Sequence, residues 1–332
     1  MIPERFKFSK KLTPNELFPN MDYPYFERVR HTGFFHRKNE FSLVNACFLA
    51  EASLLSYNQP SFIKYAFYYA GFDDFKMFIG KNVARCFTAK KGNCLIVVFR
   101  GTELKLPFSI PGFIADFKIA MSPEKNGGFV HSGFQAVLDE IWEGEGMLHE
   151  YLLKQKEKKP FLRIFATGHS LGAALSLILA ARFPHVNCVY TFGCPRVGSQ
   201  EFADTIKAKV FRIVHNNDII TEVPFQKFRI LKIKNEYLHI GELEFIDSKG
   251  KLRNKSAHNL AILKELKEKN ILKGPALFEE FIATLVKTRT SYFSDHSPYF
   301  YATKLWNAYL DLSASSESGF ISRFISNRKS KF

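Results

Sequence analysis

Between positions 94 and 246 the hydrophobic and polar residues of the 332-residue chain fall into two alternating rhythms. Short apolar runs read as buried strands at Cys94–Phe99, Phe161–Phe165, Asn187–Phe192 and Phe211–Val214. A further strand near Val83–Thr88 joins Cys94–Phe99 through Lys90-Lys91-Gly92-Asn93, a hairpin signal. Tyr237–Ile246 alternates as an edge strand would. Helical spacing appears in Phe41–Tyr57, where Leu43, Val44, Cys47, Phe48, Leu54 and Leu55 repeat, and again in Phe62–Tyr69, closed by Gly71. A helix is also expected from Val130-His131-Ser132-Gly133-Phe134 through Leu153, ahead of a charged turn at Lys154–Pro160. Residues 256–290 and the stretch after Asp295-His296 complete the helical set. Strands alternating with helices predict an α/β fold, a mostly parallel central sheet with helices on both faces. Residues 1–40, rich in Pro, Asn, Lys and aromatics, read as an irregular arm. Residues 41–312 form the body, and 313–332 a basic polar tail in which Phe320, Ile321, Phe324 and Ile325 could share one helical face.

The most informative stretch is Gly168-His169-Ser170-Leu171-Gly172, set between the strand at 161–165 and an Ala- and Leu-rich segment without a breaker before Pro184. A strand reversing tightly into a helix strains the central residue and crowds the neighbouring backbone, and glycines two before and two after it remove the Cβ atoms that would collide. Ser170 then stands at a helix N-terminus, with the Leu171 amide left free to face a developing oxyanion. The bland alternative is a strand–helix turn with an incidental serine.

A serine needs a base, and the base an acid that holds its tautomer. Asp218 lies in His215-Asn216-Asn217-Asp218, just past the strand at 211–214, where open α/β sheets place site residues; a turn or N-cap aspartate is its structural alternative. Three histidines follow. His239 falls within a strand, which suits a structural hydrogen bond, and His258 opens a helix. His296 sits in a loop that Pro298 directs into a helix, so it has the reach, and it is the favoured base. Arg100-Gly101-Thr102 follows a central strand, where Thr102 could give a second oxyanion donor. Residues 103–128 are loop-like yet apolar, broken by Pro107, Pro111, Gly112 and Pro123. Beside a candidate site this suggests a movable lid, with Phe108, Ile110, Phe113 and Ile114 facing substrate.

Charge and cysteines narrow the setting. The net charge of +15 attracts anionic partners. No zinc-finger, RNP-like or basic-helix pattern accompanies it, so nucleic acid is not expected; peripheral contact with an anionic membrane surface is one reading, and a solvated basic surface the other. Five cysteines in spacings that suit neither zinc nor a disulfide framework suggest a reducing compartment. No metal or cofactor is expected. The first residues are charged and lack the apolar core of a secretory signal, so a cytoplasmic or peripheral membrane location is expected, with signal-independent export as a further route.

In combination these stretches resemble the class 3, fungal-type lipase family of the α/β-hydrolase fold. Val98-Phe99-Arg100-Gly101-Thr102 resembles its oxyanion strand and Ile114-Ala115-Asp116 its lid segment. Val130–Phe134, Thr167–Gly172 and Thr191-Phe192-Gly193-Cys194-Pro195-Arg196-Val197-Gly198 follow in the family's order. His215–Asp218 with Glu222-Val223-Pro224 resembles the acid loop, and Tyr237-Leu238-His239-Ile240-Gly241 a strand whose histidine is structural. Asp295-His296 with Tyr301 and Leu305 resembles the ending that carries the catalytic histidine. The resemblance spans roughly residues 41–308. It implies Ser170 as nucleophile, Asp218 as acid, His296 as base and Thr102 with Leu171 at the oxyanion hole, acting on a lipid ester. Two prolines between Thr102 and Phe113 depart from a single amphipathic lid helix. The missing signal segment means that extracellular fat digestion does not follow. Two other classes use the same residues differently: a membrane- or partner-binding protein on an inactive scaffold, and a serine acyltransferase or thioesterase.

Overall fold

The computed structural model describes residues 5, 6, 21–29, 34, 40–82, 84–102, 120–144, 146–224, 227–230, 233–253 and 294–329. The helices expected over 256–290 and the lid residues Phe108, Ile110, Phe113 and Ile114 lie outside the described residues, as does His258.

Two helices, α1 (Leu43–Leu55) and α2 (Pro60–Tyr69), lead into the strands β1 (Asp74–Ile79), β2 (Arg85–Lys91) and β3 (Cys94–Phe99). After the short strands β4 (Met121–Pro123) and β5 (Phe129–His131) come α3 (Ser132–Trp142) and α4 (Leu148–Lys158). The central unit is β6 (Arg163–His169), α5 (Leu171–Arg182) and β7 (Val186–Phe192), followed by α6 (Gln200–Thr205) and β8 (Lys209–His215). A small hairpin, β9 (Lys227–Ile230) and β10 (Ile233–Glu236), precedes β11 (Glu242–Ile246) and β12 (Leu252–Arg253), and α7 (Pro298–Lys329) closes the series. The main sheet runs in the order β1-β2-β3-β6-β7-β8-β11-β12. It is parallel from β3 to β11 and antiparallel at both margins.

The two-residue period of a strand splits the core in two. Leu95, Val97 and Phe99 of β3, with Ile164 and Ala166 of β6, face α3, α4 and α5. Ile96, Val98, Phe165, Tyr190, Phe192 and Ile213 face α1, α2 and α7 on the other side. Both faces are covered, which is why these strands are apolar at nearly every position. All twelve residues of α5 are buried, and a helix surrounded on every side has no use for a polar face.

The structure corrects several expectations. Phe161 does not belong to a buried strand. Leu162 N–H bonds the Lys159 carbonyl (2.9 Å), β6 begins at Arg163, and Phe161 is 89% exposed on the preceding turn. The single helix expected through Leu153 is two helices, interrupted where Gly144 and Gly146 take positive φ of 133° and 72°. The second of these continues to Lys158, through most of the expected charged turn. Only Glu242–Ile246 of the expected edge strand is strand, and it lies between β8 and β12. Gly241, at φ 100° against the Val210 carbonyl, turns the chain there and leaves His239 outside any strand. β1 was not foreseen. The backbone of α7 runs on to Lys329, across the boundary drawn between body and tail.

The N-terminal arm is fastened by a buried acid. Glu51 of α1, 1% exposed, accepts from Phe26 N–H (2.6 Å) and Tyr23 OH (3.1 Å). Burial, opposed by these bonds, pushes its carboxyl up to about 7. With the folded value above the ordinary one, the acid stabilises the fold most below pH 4.5, and that contribution is lost as pH rises through about 7. Glu51→Gln keeps an acceptor but cannot ionise. Its stability relative to wild type is expected to rise by roughly 3 kcal/mol between pH 4.5 and 8.5, read from urea unfolding at the two pH values.

Candidate active site

The elbow after β6 is built by backbone contact. A Cβ on Gly168 would lie 2.3 Å from the Gly172 carbonyl carbon, and one on Gly172 would lie 2.2 Å from the Phe99 carbonyl oxygen. Without those atoms, α5 sits directly on the ends of β3 and β6. Ser170 takes φ 59° and ψ −124°, a conformation in which non-glycine residues are strained. Its N–H is spent on the Phe192 carbonyl (2.9 Å). The Leu171 amide, in the first turn of α5, has no carbonyl within the helix to bond. Thr102, half-buried, follows β3 on the side where Gly172 meets Phe99 and Arg100.

Three side chains far apart in sequence converge here. Ser170 Oγ donates to His296 Nε2 at 2.9 Å. His296 Nδ1 donates to both oxygens of Asp218, at 2.9 and 2.8 Å. All three are buried: Ser170 is 4% exposed, His296 3% and Asp218 0%. Gly193, at φ 60°, passes so close that a Cβ would stand 2.8 Å from Asp218 Oδ2 and 3.0 Å from His296 Nδ1. Of the two alternatives to His296, His239 lies outside this cluster and His258 outside the described residues.

Asp218 has two occupations. Its Oδ1 caps the short helical turn Ile219–Glu222 by accepting from Ile220 N–H (2.9 Å), so the cap and the acid are one group. Tyr301 OH donates to Oδ2 at 2.6 Å and accepts from His215 N–H at 3.1 Å. Burial pushes the Asp218 carboxyl up, but the His296 ring and the bonds from His296 and Tyr301 outweigh it, leaving it below the usual carboxylate range. Burial and the Asp218 charge keep Tyr301 a neutral phenol, and so a donor.

The loops carrying acid and base are clasped together. Asn216 Nδ2 (2.8 Å) and Asn217 N–H (3.2 Å) donate to Asp295 Oδ2, and His215 Nδ1 donates to the Asp295 carbonyl (2.9 Å). Burial pushes His215 down to about 4, which keeps its ring neutral, with one nitrogen free to donate. On the other flank Tyr57 OH donates to His169 Nδ1 (2.8 Å), and His169 Nε2 donates to the His296 carbonyl (2.7 Å). Burial, with the neighbouring His296 ring, holds His169 well below the usual range, so this relay is uncharged. Arg196 braces the acid loop through the Glu222 carboxylate (2.7 Å) and the Pro224 carbonyl (3.0 Å).

Sequence reasoning found Ser170, Asp218 and His296, and the structure brings them together. It missed the supporting work of Tyr301, Tyr57 and Gly193; a residue three positions past the base-directing Pro298 was the available signal for the first. Gly172→Ala is expected to cost more than about 3 kcal/mol, because its new Cβ meets carbonyl backbone that cannot move aside; urea unfolding measures this.

Residues 96–228 match the model of the class 3 lipase family. The lipase of Rhizomucor miehei is 32% identical over 156 residues, covering 43% of this chain and 41% of that protein. Triacylglycerol lipase OBL1 of Arabidopsis thaliana is 28% identical over 207 residues, covering 48% and 38%. The chain thus spans about two fifths of the length of these relatives. The solved Rhizomucor miehei triacylglyceride lipase aligns with a TM-score of 0.43 at 27% identity, over 53% of this chain and 68% of that one. The matched region runs from β3 through the serine elbow and past Asp218, so this part of the chain is similar to the class 3 lipases, and the mainly parallel sheet covered by helices on both faces is of the α/β-hydrolase kind.

Proposed function

We propose that the protein hydrolyses carboxylic esters of lipids through Ser170, His296 and Asp218. The observation that carries this reading is the unbroken hydrogen-bonded chain from Ser170 Oγ to the Asp218 carboxylate at a strained elbow. Similarity of residues 96–228 to the lipase family supports the ester, and the apolar sequence of residues 103–128 supports a lipid.

Ser170 Oγ attacks the ester carbonyl carbon while its proton passes to His296 Nε2. Asp218 stabilises the resulting imidazolium from the far side, and Tyr301 keeps a carboxylate oxygen directed at the ring. The tetrahedral oxyanion forms beside the Leu171 amide, with Thr102 as the second donor; in such sites one donor contributes about 3–4 kcal/mol. Collapse expels the alcohol, which leaves with the proton from Nε2. Water, deprotonated by His296, then attacks the acyl-enzyme, and the freed carboxylic acid departs as Ser170 regains its proton. An inactive scaffold would have no reason to retain a strained serine with both partners in reach.

Wild type is expected to turn over p-nitrophenyl esters and to react with a fluorophosphonate, and Ser170→Ala to do neither; labelling of Ser170→Ala would sink the assignment. Release of free fatty acid distinguishes hydrolysis from transfer to an added alcohol. Tyr301→Phe removes one donor from Asp218 without exposing it. A roughly tenfold fall in kcat with KM unchanged is expected from steady-state kinetics.

A further inference from the structure

At the end of the sheet away from Ser170, exposed aromatic rings lie among lysines. Phe161, 89% exposed, stands at the tip of the turn from α4 into β6. Lys158, Lys159 and Pro160 precede it. The turn is held from within: Lys156 Nζ donates to the carbonyls of Pro160 (2.6 Å) and Leu162 (3.2 Å). Lys159 Nζ reaches the Gly92 carbonyl (3.1 Å) in the neighbouring β2–β3 turn. From there Lys91 Nζ reaches the Ala70 carbonyl (3.2 Å) at the end of α2, whose outer face carries Tyr65, Tyr68 and Tyr69, exposed by 66%, 46% and 42%. These contacts join Phe161, the hairpin turn and the tyrosine face into one surface.

Lysines outnumber acids on it, with exposed Asp73 and Glu157 against Lys91, Lys156, Lys158 and Lys159. Lys91, Lys156 and Lys159 bond backbone carbonyls, which leave the ammonium charge in place. Lys90 is the neutralised neighbour, 2.6 Å from Asp74. A phenylalanine this exposed on a braced turn is unfavourable in water, and cations around an aromatic tip suit an anionic interface.

We propose that this surface docks on an anionic phospholipid bilayer, with Phe161 entering it and Lys91, Lys158 and Lys159 meeting the headgroups. A protein partner would need a socket for a protruding ring, and a single-stranded nucleic acid a groove of stacked rings; a bilayer needs neither. No helix of the described residues is long and apolar enough to cross a membrane, and the contact is peripheral. Leu162 and the seven residues of β6 separate Phe161 from Ser170, and the strand alone is about 23 Å long. Docking therefore points the serine away from the bilayer, toward esters in solution or on a facing surface. The docking does not depend on the ester-hydrolase reading.

The test is co-sedimentation with phosphatidylcholine vesicles, with and without about one third phosphatidylserine, at physiological salt. Binding is expected only with phosphatidylserine, and Phe161→Asp and the double variant Lys158→Glu/Lys159→Glu should each lower it about tenfold. Unchanged thermal unfolding of both variants, followed by circular dichroism, establishes that the fold is intact whether or not the protein hydrolyses esters. Absence of phosphatidylserine-dependent binding overturns the proposal, as does binding that both variants retain. So does binding lost in Phe113→Asp but kept in Phe161→Asp, which would assign the contact to the apolar 103–128 stretch of the sequence. Retention of vesicle-free heparin binding by Phe161→Asp, without vesicle binding by wild type, would assign the surface to a polyanion instead.

Discussion

The approach of the α5 backbone to the ends of β3 and β6 governs the rest of the molecule. At the elbow, glycine backbone lies where side chains would normally keep elements apart, with the Gly172 Cα directly over the Phe99 carbonyl. That approach aims the first-turn amides of α5 past the sheet and leaves Ser170 in a conformation it would not choose. The strain has to be met by packing, and α5 supplies it: a helix with every residue buried cannot rotate or slide to relax its first residue. The two-sided sheet is thus the anvil on which a single strained serine is held.

Around that serine, charge is confined to very few groups. Asp218 is a fully buried carboxylate, tolerable because a ring N–H, a phenol and a backbone amide all donate to it. The histidines that position the surrounding loops, His169 and His215, are kept neutral by burial. They bond backbone carbonyls without adding a competing positive charge near the His296 ring. Electrostatic contrast therefore rises at one place, between Asp218 and His296, and the polar supports around it are silent.

Much of this was legible in the sequence because burial leaves a periodic trace. Strands covered on both faces read as continuous apolar runs, and the glycine spacing around Ser170 announces the elbow. Asp218 and His296 were found by their places after a strand and in a loop. Other features have no local signature. Tyr301 looks like any core aromatic, and its bond to a residue 83 positions earlier cannot be read from its neighbours. Phe161 was counted into a strand because hydrophobicity marks apolar character, whereas its exposure is decided by Pro160 and the turn that Lys156 holds. Gly241 ended a strand that alternation alone would have continued, through its close approach to Val210 in the adjacent strand. Period reports burial; it does not report partners.

The final helix gives the site a place in time as well as in space. α7 carries Tyr301, packs beside α1, and meets the arm through paired bonds between Asn307 and Phe6 (2.9 and 3.0 Å). A chain emerging from the ribosome can therefore assemble the sheet and the strained elbow while still lacking the base, the phenol and the helix that brings them home. Until that helix docks, Ser170 has no partner to accept its proton and Asp218 is a buried charge without its main donors. Ser170 and Asp218 meet His296 and Tyr301 only where α7 and the loop before it pack against the sheet.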